Sequence, residues 1–247
     1  MTTLRLDDIP RRSLQNAGYA FVHATEMRSS LEAIGTVSDW DMFAASWDDL
    51  ELDTYLADRG RYRRRRHAVY TVTSDGTVQR QPHQPHHQGE QYNRLFGGVD
   101  RWFAPVKDCV SDGRTMRTIL RFCGALFGDL APHSRVWRAE VHQFRIEARP
   151  EEEGQPTPEG LHRDGVDFVL VLLVQRRNID SGTTTIHGLD REPLGAFTLT
   201  HPFDAALVDD SRVYHGVTSV TPLDRAQPAF RDVLVVTFRR DDGANEV

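Results

Sequence analysis

Cysteine is nearly absent from this chain: two in 247 residues, Cys109 and Cys123. They form no CxxC pair, so neither a disulfide framework nor a thiolate metal knot is expected. Long hydrophobic runs are missing too. The longest, Val166–Val174, is broken by Asp167 and falls well short of the ~18 apolar residues of a membrane-crossing helix. The opening residues, MTTLRLDDIPRR, hold no apolar stretch of the secretory kind, so the cytoplasm is the expected location. There is no basic excess, the formal net charge being −6. That balance argues against nucleic acid or an anionic membrane as the main partner. No internal repeat is present. What remains, 39% hydrophobic and 27% charged residues, suits one globular domain over residues 1–247 that buries a core without covalent staples.

Two periodicities divide the chain. Pro10–Ala17 and Ser38–Leu50 carry helix-compatible patterns, the second with Ser38 or Asp39 as a cap. RTMRTILRFCGALFGDL, Arg114–Leu130, is the clearest helix, with Met116, Ile119, Leu120, Cys123, Leu126 and Phe127 on one face. From Val136 the period becomes two: WRAEVHQFRIEAR alternates, VDFVLVLLV reads as a buried strand, and GAFTLT, AALVDD, RVYHGVTSV and RDVLVVTF follow. Turn signals such as NIDSG, GLDREPLG and HPFD separate them. The expected class is mainly β with flanking helices: an antiparallel sandwich or barrel over about 136–240, with a mixed helical part, about 1–130, packed on it. The loop RPEEEGQPTPEG is expected at the surface.

The tripeptide His162-Arg163-Asp164 enters the most apolar strand, and a strand core has no use for it. On extended backbone His162 and Asp164 share a side while Arg163 points away. His215, within a later strand, supplies a third ligand, and two histidines with one carboxylate leave one face of an octahedral metal open. Arg231 opens the last strand on the same face as Val233 and Val235, where a buried guanidinium calls for an anionic partner. Other readings of these residues stand beside this one. His162 and Asp164 could form a loop hydrogen bond and Arg231 a structural ion pair, and a zinc hydrolase could use the same three ligands. A kinase catalytic loop also begins HRD, but it needs Asn five positions after the Asp, where this chain has Val169, and no glycine-rich phosphate loop or DFG is present.

Several blocks in order, RYRRRRHAVYTV, QYNRLFGGVDRWF, VHQFRIEA, PEGLHRDGVDFVLVLLV and VDDSRVYHGVTSV, resemble the bacterial 2OG-Fe dioxygenases that include L-isoleucine 4-hydroxylase. The likeness runs from about Arg59 to Arg239. It implies a double-stranded β-helix (jelly roll) and an Fe(II) enzyme that splits O2 while converting 2-oxoglutarate to succinate. Residue by residue, it implies His162, Asp164 and His215 as iron ligands and Arg231 as partner of the far carboxylate of 2-oxoglutarate. Three protein ligands leave room for a chelating 2-oxo acid and O2. The protein's task is then to place a C–H bond and exclude competing reactions.

A free L-amino acid is the expected substrate. The alternatives are a carrier-tethered or peptide residue, or a catalytically silent jelly-roll binding module. A free amino acid brings a carboxylate that cannot go unpaired in an apolar barrel. RGRYRRRRHAVY holds six arginines from Arg59 to Arg66. Most are expected on a solvated face paired with the acidic Asp48–Asp53 segment, but at least one of Arg63, Arg64, Arg65 and Arg66 is a candidate for that carboxylate. Gln143 or Arg145, on the strand before the triad, is a candidate cosubstrate contact, with an ordinary sheet-face role as the alternative. His83, His86 and His87, in QPHQPHHQGEQ, are expected in a polar loop near the substrate entrance rather than in a second metal site. His187 and His201 are expected at turns, in structural or exposed roles.

Overall fold

Phe168–Arg177 is apolar from Phe168 through Val174, where both of its faces are covered. In the computed structural model, which describes residues 8–56, 61–92 and 97–241, it is a central strand of an eight-stranded sheet. The N-terminal part comprises α1 (Asp8–Ala17), β1 (Tyr19–Val22), α2 (Ala24–Ile34), α3 (Trp40–Ala45), a 3-10 turn (Ser46–Asp49), β2 (Glu51–Leu52), β3 (Arg63–Thr73) and β4 (Val78–Arg80). Helices α4 (Asp108–Ser111) and α5 (Arg114–Leu130) precede β5 (Val136–Ala148) and β6 (Phe168–Arg177). Then come β7 (Ile179–Ser181), β8 (Thr183–Gly188), β9 (Pro193–Thr198), β10 (Ala205–Asp209), β11 (Val213–Val217), β12 (Val220–Pro222) and β13 (Ala229–Arg240).

The large sheet runs β1-β10-β6-β13-β5-β3-β2, with β4 added on β3. A three-stranded sheet, β11-β8-β9, and the pair β12-β7 form the smaller wall. Every pairing between strands is antiparallel, and the fold is a jelly roll with helices against one face of the large sheet. Leu170, Leu172 and Val174 of β6 and Leu234, Val236 and Phe238 of β13 join Ile119, Leu120 and Phe127 of α5 in one buried cluster. The alternate residues look the other way: Val169 packs with Ile186 and Val213 of the small sheet, and Leu173 with Val233 and Leu199. A strand buried on both sides needs no polar alternation.

Asp39 differs from its expected role. It makes no side-chain cap on α3; its two carboxylate oxygens instead accept the backbone N–H groups of Arg114 (2.7 Å) and Thr115 (2.9 Å). It therefore caps α5 from a distant segment, where the start of the helix is occupied by Gly113, which has no side chain to do so. NIDSG is more than a turn, since it holds β7 and reverses at Ser181 and Gly182, both with positive φ. Arg59 and the NRLF part of QYNRLFGGVDRWF lie outside the described residues.

Candidate active site

His162 and His215 face each other as a mutually hydrogen-bonded pair: His162 N–H donates to His215 O (2.9 Å) and His215 N–H to His162 O (3.0 Å). This bridge fixes both side chains on one side, their rings 4.4 Å apart. The HxD segment itself is a loop anchored by this single bridge, and the regular strand begins only at Phe168. Asp164 completes the group, with Oδ1 3.7 Å from His162 Nε2 and Oδ2 3.5 Å from His215 Nε2. Those separations exceed hydrogen-bond length and suit three donors around one cation. His162 Nδ1 donates to the Gly160 carbonyl (3.0 Å), which leaves Nε2 free to ligate. Arg163 turns away toward the Tyr92 and Tyr214 rings.

The electrostatics also call for a cation. Burial works against charge on His162, yet the neighbouring carboxylate of Asp164 pushes it up to about 9. Burial likewise opposes ionisation of Asp164, but His162 holds its carboxyl below the ordinary range. Burial, together with the neighbouring charge of His162, pushes His215 down to about 4. A proton on His162 thus balances Asp164, the task a divalent metal would perform there while leaving both imidazoles neutral.

Asp210, absent from the sequence reading, braces the loop. Its carboxylate accepts the backbone N–H groups of Asp164 (2.9 Å), Gly165 (2.8 Å) and Val166 (3.1 Å), and Oδ1 lies 4.0 Å from His215 Nδ1. Burial and then the charge of Asp164 drive Asp210 upward. Gly165 turns the chain with φ +79°, and a Cβ there would fall into the Tyr92 ring.

The triad opens into a cavity of about 300 Å³. Cross-strand register builds its floor in rows: Arg63–Ile146–Arg231, then Arg65–Phe144–Val233, then His67–His142–Val235. Arg231 is 2% exposed, and its Nε and Nη2 have no hydrogen-bond partner among the described residues. Burial, reinforced by the charge of Arg176, lowers it to about 10. A buried donor without an acceptor is costly, and a carboxylate in the cavity would satisfy this one.

The arginine segment divides by strand parity. Arg63 and Arg65 line the cavity, whereas Arg64 bonds Glu147 (2.6 Å) and Arg66 bonds Asp49 O (3.0 Å) and Pro105 O (3.0 Å), both away from it. Pairing with the acidic segment is present but largely buried: Arg63 reaches Asp53 at 2.8 Å, and Arg65 lies 3.6 Å from the same carboxylate. Arg65 is also held between the rings of Phe103 (3.6 Å) and Phe144 (4.5 Å).

Gln143 requires a correction. It lies on the opposite face of β5, fully buried, with Nε2 donating to Ser46 Oγ (2.8 Å), and cannot contact a cosubstrate in the cavity. Arg145 shares that far face, bound to Asp232 (2.7 Å) and Asp48 (2.8 Å). The inward residues of β5 are Arg138, Glu140, His142, Phe144 and Ile146.

His86 leaves its proline-rich loop to join His67, Glu140 and His142, four potential ligands within 4.8 Å of one another. Their contacts differ from those of the triad. His67 Nε2 and His86 Nδ1 meet Glu140 Oε2 at 3.0 and 2.7 Å, Arg138 Nε donates to Oε1 (3.1 Å), and Arg65 Nη2 sits 2.7 Å from His142 Nδ1. These are hydrogen-bond lengths, and two guanidinium groups already serve the cluster. The arrangement is a hydrogen-bonded polar network on the cavity wall. His83 stays off this network, against the Trp102 ring.

Two imidazoles and one carboxylate that leave the far side of a metal free form the ligand set of non-haem iron oxygenases, unlike a structural zinc site closed by four protein ligands. A family model described as 2OG-Fe dioxygenase matches residues 44–237, and the chain belongs to that family. The protein is a 2-oxoglutarate-dependent dioxygenase, using Fe(II), 2-oxoglutarate and O2. Among its relatives is the 3(1)-hydroxy-L-isoleucine 4-dioxygenase of Pantoea ananatis (strain AJ13355), 24% identical over 93% of this chain and 94% of that protein. The crystal structure of a bsmA homolog from Methylobium petroleophilum PM1 superposes with TM-score 0.87 at 33% identity, covering 98% of this chain and 96% of that one. IDO from Bacillus thuringiensis shares the fold, with TM-score 0.78 and 20% identity over 95% and 99% of the two chains. No helix among the described residues is long and apolar enough to cross a membrane.

Proposed function

We propose that this dioxygenase hydroxylates a free L-α-amino acid, with His162, Asp164 and His215 holding the iron and Arg231 the far carboxylate of 2-oxoglutarate. Held there, Fe(II) would supply with 2-oxoglutarate and O2 the oxidation that replaces C–H by C–OH, one oxygen atom of O2 going to the product and the other to the succinate formed with CO2. The chain's own residues bind and orient. Arg231 fixes one end of the 2-oxo acid, the Val233–Val235 wall excludes water, and Arg65 receives the substrate carboxylate.

The observation that carries this reading is the guanidinium arrangement on the cavity wall. Arg63 and Arg65 share the single buried carboxylate of Asp53, and Arg65 Nε has no hydrogen-bond partner among the described residues. An anionic ligand group would answer both deficits. The relative from Pantoea, named for an amino-acid substrate, points the same way.

The test incubates the anaerobically iron-loaded protein with 2-oxoglutarate, ascorbate and pooled L-amino acids, then admits air. A product heavier by one oxygen, formed with equimolar succinate, is expected. Arg65→Gln should abolish the product while slow, uncoupled succinate formation continues; Arg64→Gln should hydroxylate within a few-fold of wild type. Succinate without any oxygenated amino acid in the wild type would overturn the reading.

A further inference from the structure

Three carboxylates line the cavity: Asp164, Glu140 and Glu159. They differ in what already holds them. Asp164 belongs to the triad. Glu140 accepts from His67, His86 and Arg138, which fills three of the roughly four acceptor positions of a carboxylate. Glu159 is the one left over. Its Oε2 is buried with no hydrogen-bond partner among the described residues, and its Oε1 makes only a 3.7 Å ion-pair contact with His162 Nε2.

That contact disappears as an ion pair once His162 is a metal ligand, because a ligating imidazole is neutral at the nitrogen it offers. The charges around the metal then add simply. Fe(II) with the Asp164 carboxylate and the 2-oxoglutarate dianion carries one net negative charge, and Arg231 cancels it. Glu159 adds a negative charge, felt by the Arg101 guanidinium on the same wall, while its buried Oε2 accepts no hydrogen bond among the described residues. Farther along the same wall, Arg63 and Arg65 exceed their shared Asp53 by one positive charge. The cavity thus presents an unpartnered carboxylate oxygen beside the triad and a guanidinium-rich wall farther from it.

We propose that Glu159 is the anchor for the substrate's α-ammonium group, so that the zwitterion lies with its ammonium on Glu159 and its carboxylate on the arginine wall. This rests on the free amino-acid reading above. Anchored beside His162, the amino acid keeps its side-chain carbons close to the metal, while its two polar ends are held on opposite partners. The substrate must then carry an unblocked amino group: N-acylated amino acids and 2-hydroxy or 2-oxo acids of the same skeleton are excluded. An unpaired buried carboxylate is what rejects them, since a neutral substituent at that position leaves Glu159 unsatisfied.

The experiment is calorimetric binding to the anaerobic Fe(II)–2-oxoglutarate protein. The twenty L-amino acids are titrated first, then the 2-hydroxy and N-acetyl counterparts of those that bind. Wild type is expected to favour an amino acid over its 2-hydroxy counterpart by about 10- to 100-fold, the range for hydrogen bonds to charged groups. In Glu159→Gln that preference should collapse to within about threefold, and Glu159→Asp should recover part of it, with iron affinity serving as the control. The comparison of analogues on the wild-type protein needs no variant, so it decides even if a variant fails to fold. Equal wild-type affinity for the amino acid and its 2-hydroxy counterpart overturns the inference. So does a Glu159→Gln protein that keeps the preference, or one that loses iron and weakens both ligands alike, which would mean that Glu159 serves His162 instead. If no amino acid binds wild type while 2-oxoglutarate does, the free amino-acid reading falls and this inference with it. Binding with an intact preference in Glu159→Gln sinks the inference alone.

Discussion

Replacing Arg231 with Met should have opposite effects on the empty and the loaded protein. Without 2-oxoglutarate the guanidinium is 2% exposed and lacks partners at Nε and Nη2. Burial, reinforced by the charge of Arg176, lowers it to about 10, which corresponds to a cost of about 3 kcal/mol for carrying the charge. The sign is fixed by its being a base with a lowered folded-state value: the cost persists through neutral pH and is relieved only as pH rises above 10. Methionine fills comparable apolar volume without the charge. Arg231→Met should therefore keep or raise the melting temperature of the ligand-free protein, each kcal/mol being worth roughly 2–4 °C at this chain length. With 2-oxoglutarate the sign reverses. Wild type at 100 times its Kd gains about 2.7 kcal/mol. The variant should gain almost nothing, because removing one partner of a buried pair costs about 3–5 kcal/mol, or a few hundred- to a few thousand-fold in Kd. Thermal unfolding with and without 2-oxoglutarate, alongside calorimetry, reads both halves. A ligand-free variant destabilised by several kcal/mol would show that Arg231 already has a partner inside the fold. Retained 2-oxoglutarate affinity would remove it from the site altogether.

Three further outcomes are expected. His162→Ala, Asp164→Ala and His215→Ala should each bind iron far more weakly and form no succinate while keeping wild-type circular dichroism; normal 2-oxoglutarate turnover in any of them would strike that residue from the ligand set. Asp210→Ala removes the acceptor of three backbone N–H groups beside Asp164 and should weaken iron binding by about 10- to 100-fold, as losses of residues behind metal ligands do, which a metal-competition titration would measure. Tyr70, 1% exposed and pushed up to about 12 by burial, favours folding only while protonated. Stability should therefore fall as pH climbs from 10 to 12, by up to about 2.7 kcal/mol, and Tyr70→Phe should unfold with a flatter alkaline limb in denaturant titrations at each pH.

Much of the fold was legible because it rests on local periodicity. The α5 stripe repeats at helical spacing, and β6 reads as buried because both of its faces are covered by apolar residues. The triad was legible for a related reason: two of its members are two residues apart, and backbone bonds at His162 and His215 bring in the third. Gln143 shows the limit of such reasoning. Alternation separates Glu140 and His142 from Gln143 and Arg145, but both sets are polar, so hydrophobic pattern could not say which one faces the cavity. Pairing with β13 decides it, because Arg231 stands opposite Ile146 and puts the even-numbered residues of β5 inside. Asp210 and His86 were harder still. One is an acid in a turn and the other a histidine in a loop, and each acquires its role from a partner more than 40 residues away.

The same register explains why so much charge can be buried here without loss of a single folded state. Arg63, Arg65, Glu140, His142 and Arg231 project from β3, β5 and β13, neighbouring strands well inside the large sheet. Their backbones are held on both sides by ladder bonds; Val141, between Glu140 and His142, is locked into the helical core, and the outward Arg64 and Asp232 are tied to Glu147 and Arg145. An unsatisfied guanidinium such as Arg231 can persist only where the surrounding structure over-determines its position. The loop of His162 and Asp164 has no such ladder, and Asp210 supplies its rigidity by taking up three consecutive N–H groups. Strands set the distance between the cationic wall and the proposed 2-oxo acid site at Arg231, while one buried carboxylate sets the loop that carries two of the three candidate metal ligands. A substitution on the strands should therefore alter which ligand binds, and one at Asp210 whether the metal binds at all.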